Sequence, residues 1–126
     1  MLNVKKSIPS LILLIFFTSI SLSASANKTS VKISAVKGAA KGTEVTVTIN
    51  VTHNANSFSH YTDWVYLKIN GKEVKRWTYS KSNLPEGAAF TLTYKFILTE
   101  AVSIEAMGDC NLHGSAGAVT AKIKVL

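Results

Sequence analysis

Four side chains in this sequence can bind a transition metal through imidazole or thiolate: His53, His60, Cys110 and His113. They are all of its three histidines and its one cysteine. Thiolate and imidazole together suit iron, copper or zinc, and suit calcium or magnesium poorly. The spacing Cys110-x-x-His113 lets one tight turn supply two donors, and the glycines around it allow the backbone to fold closely. A solitary thiol in an oxidising compartment must be buried, bonded to a partner chain or bound to metal. A metal site built from these four residues is the expectation. The nucleophile, phosphate-loop and nucleic-acid motifs that would point elsewhere are missing from the sequence.

The elements that must bring these residues together read as β-strands throughout. In "TSVKISAV", Val31, Ile33 and Ala35 alternate with polar residues, and "EVTVTINVT" sets Val45, Val47, Ile49 and Val51 on one face. "WVYLKI" does the same with Val65, Leu67 and Ile69, then meets Asn70-Gly71, a hairpin signal because both turn positions need positive φ. "KEVKRWTY" is the return strand, and "FTLTYKFIL" alternates Phe90, Leu92, Tyr94, Phe96 and Leu98. "VSIEAM" follows, and "VTAKIKV" ends the series with Val119, Ala121, Ile123 and Val125 facing inward. Seven short alternating strands separated by turn signals such as "KGAAKG" and "LPEG" predict a seven-stranded, immunoglobulin-like antiparallel β-sandwich. No cysteine pair brackets a tryptophan, so a true immunoglobulin domain is excluded.

In such a sandwich the loops at alternate strand ends share one pole. The loop holding His53 and His60 and the loop holding Cys110 and His113 have the same parity, so their donors can meet. Trp64 and Trp77 are expected as core or as cover for the metal site. Asp63 and Asp109 flank the two ligand loops, where they either orient histidines from behind or are ordinary solvated loop residues. Met107 raises a blue-copper site, but no methionine follows His113, as that arrangement requires.

Residues 1–26 differ from the rest. Lys5 and Lys6 precede the apolar run "IPSLILLIFFTSISL", and Ala24, Ser25 and Ala26 form a small-x-small cleavage pattern. The apolar run is shorter than the ~20 residues a span needs. A cleaved export signal is therefore predicted in place of a stable membrane anchor, with a periplasmic protein of residues 27–126 as its product. Of the formal charge of +7, two units belong to Lys5 and Lys6, which leaves +5 on one domain of 100 residues. The lysines are scattered, with only Lys72, Lys75 and Arg76 clustered, which fits solubility and edge-strand protection better than nucleic-acid binding.

"SHYTDWVYLKING" taken with "CNLHGSAG" resembles the iron-binding domain of the superoxide reductase (desulfoferrodoxin and neelaredoxin) family. That family carries a histidine loop leading into an "H-[HY]-I-x-W-I" strand and a late "C-N-x-H-G" loop. The resemblance runs from about Lys28 to Leu126. It implies a mononuclear non-haem iron, with His53, His60 and His113 as equatorial ligands and Cys110 as the axial thiolate. It implies superoxide as substrate, hydrogen peroxide as product and an external electron-donor protein. Lys28 matches a family lysine that attracts the superoxide anion.

Three departures accompany the resemblance. The loop from His53 to His60 is one residue longer. The family's N-terminal Glu-Lys-His stretch is replaced by Asn27, Lys28 and Thr29, so a histidine ligand is missing. "GSAG" stands where the family has a tryptophan after the late loop. Three histidines and one thiolate suit zinc as well as iron, and the amine of Asn27, freed by cleavage, is a further nitrogen donor. The second functional reading is a non-catalytic iron- or zinc-binding module in a redox or sulfur pathway.

Overall fold

The computed structural model describes residues 27–126. The expected export signal, residues 1–26, lies outside them. Eight strands follow one another: β1 (Ser30–Ser34), β2 (Gly38–Ala39), β3 (Glu44–Thr52), β4 (Thr62–Ile69), β5 (Lys72–Thr78), β6 (Ala89–Ile97), β7 (Val102–Cys110) and β8 (Val119–Val125). They form two sheets, β1-β3-β6 and β2-β8-β7-β4-β5. The β-sandwich is the one the alternation predicts.

The added strand is β2, which lies inside the "KGAAKG" turn signal. It exists because Gly38 and Ala39 pair in parallel with Lys124 and Val125 of β8. Two residues carry too little pattern to announce a strand. Gly38 is also where the C-terminus folds back, since a Cβ there would stand 3.0 Å from Leu126 Cδ2.

Alternation turns directly into a core. Val31, Val45, Val47, Ile49 and Val51 of the small sheet face Val65, Leu67, Ile104, Ala106 and Ile123 of the large one. Fully burying each of the larger side chains is worth about 1.5–3 kcal/mol. Val125, expected inward, is 38% exposed. It pairs only with the end of the short β2 at the sheet edge, beyond the reach of the opposite sheet. At the other edge lies β5, which carries Lys72, Lys75 and Arg76, charges that discourage edge-to-edge pairing.

The two tryptophans part company. Trp77 packs against the core, as expected. Trp64 instead lies on the outer face of the large sheet, stacked on Tyr66 at 5.6 Å with the Arg76 guanidinium 4.7 Å above it. Trp64 is the immediate neighbour of the inward Val65, so the pleat sends it outward. Tyr66 donates its hydroxyl to Glu105 Oε2 at 2.8 Å. Burial first, and then that bond to Glu105, push its phenol up to about 12.

The antiparallel order puts the ends of β3, β5 and β7 at one pole with the starts of β1, β4, β6 and β8. Residues 53–61, 79–88 and 111–118 therefore cluster there, together with Lys28 and Thr29. The β4–β5 hairpin turns at the opposite pole on Asn70 (φ 49°) and Gly71 (φ 80°).

Candidate metal centre

His53 follows directly on β3 and is almost fully buried, at 2% exposure. His60 ends the loop before β4 and is half-buried, while His113 lies in the turn after β7 and is exposed. Cys110 was expected in a loop. It is the last residue of β7, paired with Thr62 and buried, so strand backbone holds its sulfur. The Cys110–His113 turn is closed by Cys110 N–H to Gly114 C=O at 2.9 Å and by the return bond from Gly114 N–H at 3.1 Å. Gly114 has φ of 78°, a conformation that a side chain would strain.

The four donors converge. His60 Nε2 lies 3.1 Å from His53 Nε2, 3.0 Å from Cys110 Sγ and 3.1 Å from His113 Nδ1. The Cys110 Sγ to His113 Nδ1 distance is 3.8 Å. His53, His60 and Cys110 each offer a ligand atom within 4.8 Å of the others.

One imidazole nitrogen has either one hydrogen or one lone pair. His60 Nε2 therefore cannot satisfy three neighbours at about 3 Å through hydrogen bonds. A cation accepting a lone pair from each donor satisfies them all. Donors held 2.0–2.3 Å from one ion stand about 3 Å apart at a right angle and about 3.5 Å apart at the tetrahedral angle. The three contacts of His60 match the first spacing, so the donor types and the spacings around His60 fit a transition metal; His53, His60 and Cys110 form the compact group, and His113 joins it through His60.

Two asparagines that the sequence reading passed over brace the loops. Asn111 accepts Tyr61 N–H on Oδ1 at 3.0 Å and donates Nδ2 to Ser59 C=O at 3.3 Å, and its own N–H reaches Tyr61 C=O at 3.1 Å. That clamp fastens the His60 segment to the Cys110 turn. Asn56 lies inside the polar stretch "NANSFS" and contacts His53, Thr62 and Gly87. Its only signal in the sequence was the unexplained length of a polar loop.

Thr29 stands where the family resemblance implies a histidine. It is fully buried, and its Oγ1 lies 3.1 Å from Thr62 Oγ1, which in turn lies 3.3 Å from His53 Nδ1. Thr29 thus reaches the ring of His53 through Thr62, from the side facing away from the other donors. Its backbone joins the His113 turn, with Ala116 N–H donating to Thr29 C=O at 3.0 Å. Lys28, one residue earlier, is half-buried. Asn27 is exposed.

Of the two readings of Asp63 and Asp109, the one that sets them behind the histidines is not the one seen. Among the described residues no hydrogen bond joins Asp63 or Asp109 to an imidazole; Asp63 offers its backbone carbonyl to Tyr79 N–H instead. Burial, reinforced by the like charge of Asp63, holds the Asp109 carboxyl above the usual carboxylate range.

The family model described as desulfoferrodoxin matches residues 22–116. The fold is shared with a neelaredoxin-type superoxide reductase from Ignicoccus hospitalis, at 23% identity and a TM-score of 0.64 over 79% of this chain and 83% of that one. A putative superoxide reductase from Thermotoga maritima is 25% identical, with a TM-score of 0.56 over 77% of this chain and 86% of its own. The CARDB domain of a Pyrococcus furiosus protein, solved in complex with di-metal ions, has the same fold at 19% identity and a TM-score of 0.62 over 79% and 94%. No curated protein sequence matches. The family match spans well over half of the chain and contains all four donor residues, and the chain belongs to the desulfoferrodoxin family.

Proposed function

We propose that this protein is a mononuclear non-haem iron protein of the superoxide reductase type, exported to the periplasm, with His53, His60, His113 and Cys110 as its ligands. The observation that carries the reading is the convergence of His53 Nε2, Cys110 Sγ and His113 Nδ1 on His60 Nε2, each at 3.0–3.1 Å. Bound there by His53, His60, His113 and Cys110, iron would supply the one electron that, with two protons, converts superoxide to hydrogen peroxide, and an external donor protein would restore that electron.

The chain's own residues supply the setting. Cys110, fixed at the end of β7, places a soft, electron-rich sulfur against the cluster. His53 is almost fully buried, and its N–H is held by Ala88 C=O of the β5–β6 segment at 2.7 Å. His113, on the exposed side, leaves the pole open to a small anion and to protons from water. Lys28, fastened beside the His113 turn through Thr29, adds positive charge that raises the local concentration of superoxide.

The test is anaerobic reduction of the iron-loaded protein followed by exposure to superoxide. Stoichiometric peroxide without evolved dioxygen is expected, and failure to consume superoxide overturns the reading. Cys110→Ser should stay folded while losing the visible thiolate-to-iron band and the activity. The second reading is a non-catalytic metal-binding module. It is favoured by the engagement of Thr29 with Thr62 in place of a fourth histidine. Under that reading Cys110→Ser unfolds the domain and superoxide is untouched.

A further inference from the structure

Which nitrogen of His53 carries its hydrogen decides whether the ring can bind a metal through Nε2, and a network behind the ring makes that choice. Asn56 Nδ2 lies 2.6 Å from Gly87 C=O, and only the amide nitrogen can donate to a carbonyl. Its Oδ1 therefore faces the opposite way, where it accepts Thr62 N–H at 2.7 Å. Both partners are backbone atoms of fixed polarity, so the amide has one allowed orientation. The same Oδ1 lies 3.0 Å from His53 Nδ1. A carbonyl oxygen only accepts, which makes Nδ1 the donor. A neutral imidazole has one hydrogen, so Nε2 keeps its lone pair, and Nε2 is the atom that faces His60 and the cluster.

Thr62 extends this logic. Its Oγ1 lies 3.3 Å from His53 Nδ1 and 3.1 Å from Thr29 Oγ1. The Nδ1 hydrogen goes to the closer Asn56 Oδ1, so Thr62 Oγ1 is at most a second, longer acceptor for it, and its own hydrogen is free to go to Thr29. Every buried side-chain nitrogen and oxygen among the described residues has a partner, so the network is closed.

We infer that Asn56 is a positioning residue that fixes His53 as the Nδ1–H tautomer and so presents a ready Nε2 lone pair to a metal ion. Thr62 and Thr29 act as a weaker second support. The consequence for metal binding rests on the reading of the cluster as a metal site. The tautomer does not, because it follows from Asn56, Gly87 and Thr62 alone.

The experiment is long-range proton–nitrogen NMR on the ¹⁵N-histidine-labelled chain, metal-free, with Zn(II) affinity measured by chelator competition. In the unaltered protein His53 should show a protonated Nδ1 and an unprotonated Nε2. Asn56→Leu should release the ring to the Nε2–H form or a mixture and weaken Zn(II) binding about 10–100-fold. Asn56→Asp keeps an acceptor for both His53 and Thr62 N–H and should restore the Nδ1–H form, and Thr62→Val should leave it unchanged. A predominant Nε2–H signal in the unaltered protein overturns the inference even if Asn56→Leu fails to fold. An unchanged tautomer in a folded Asn56→Leu also overturns it. Nδ1–H without any Zn(II) affinity overturns the metal-site reading and leaves the role of Asn56 in the tautomer standing.

Discussion

Gly108 lies in β7 two residues before Cys110, and it couples the core to the candidate site. A Cβ at this position would stand 2.7 Å from Thr29 Cγ2, 3.2 Å from Val31 Cγ1 and 3.5 Å from Val65 Cγ2. The first distance forces a displacement, and Thr29 is fully buried with its hydroxyl bonded to Thr62. Overpacking of this kind costs about 1–3 kcal/mol. Replacing glycine in a strand interior returns about 0.5–1 kcal/mol, so Gly108→Ala should change stability by a net loss of about 0–2.5 kcal/mol. Thr29→Ser removes the Cγ2 that the new methyl strikes and by itself should cost about 1 kcal/mol for the lost buried carbon. If the clash is the cause, the double variant must be more stable than the sum of the two single effects, by at least about 0.5 kcal/mol. The Val31 contact at 3.2 Å persists, so the relief is partial. Urea unfolding of the four proteins, followed by tryptophan fluorescence, measures the cycle. Additivity within about 0.3 kcal/mol would refute the reasoning.

Gly71 and Gly87 give a sharper contrast. Neither has a heavy atom within 4 Å of an added Cβ, but only Gly71 has a positive φ, of 80°. Gly71→Ala should therefore lose about 1–2 kcal/mol from backbone strain alone, and Gly87→Ala should be neutral within about 0.5 kcal/mol in the same urea assay. Tyr66, with its phenol pushed up to about 12, should ionise last among the tyrosines in an ultraviolet titration. Its native pKa exceeds the unfolded value near 10, so its contribution to stability is complete below pH ~10 and is lost as pH rises through ~12. Tyr66→Phe should abolish both the late absorbance step and that part of the alkaline loss.

Legibility in the sequence followed the range of the interactions. Strands β1 and β3 to β8 were visible because their hydrophobic faces repeat every second residue, a local signal that survives without tertiary knowledge. Strand β2 was not, because its two residues become a strand only by pairing with the last strand of the chain. The outward stack of Trp64 on Tyr66 under Arg76 was likewise hidden, since composition favours placing tryptophan inside while the pleat decides the face. At the candidate site, the residue types and the shared parity of two loops were enough to bring His53, His60, Cys110 and His113 to one pole. Their support was not legible. Asn56 depends on Gly87, which lies in a loop that the parity argument left out, and Thr29 depends on a contact across 33 residues. Aspartates beside the histidines were one candidate for the orienting groups, yet neutral amides and hydroxyls hold the loops. They can satisfy backbone donors and imidazole together without burying a charge.

The central claim is one iron ion held by three imidazoles and one thiolate. Metal analysis of protein purified anaerobically from its native compartment, combined with X-ray absorption at the metal edge, tests it most directly. The account predicts one iron per chain, a single sulfur scatterer that disappears in Cys110→Ser, and imidazole scattering that falls in His53, His60 and His113 variants. Stoichiometric zinc without iron, or iron lacking the sulfur scatterer, would contradict it.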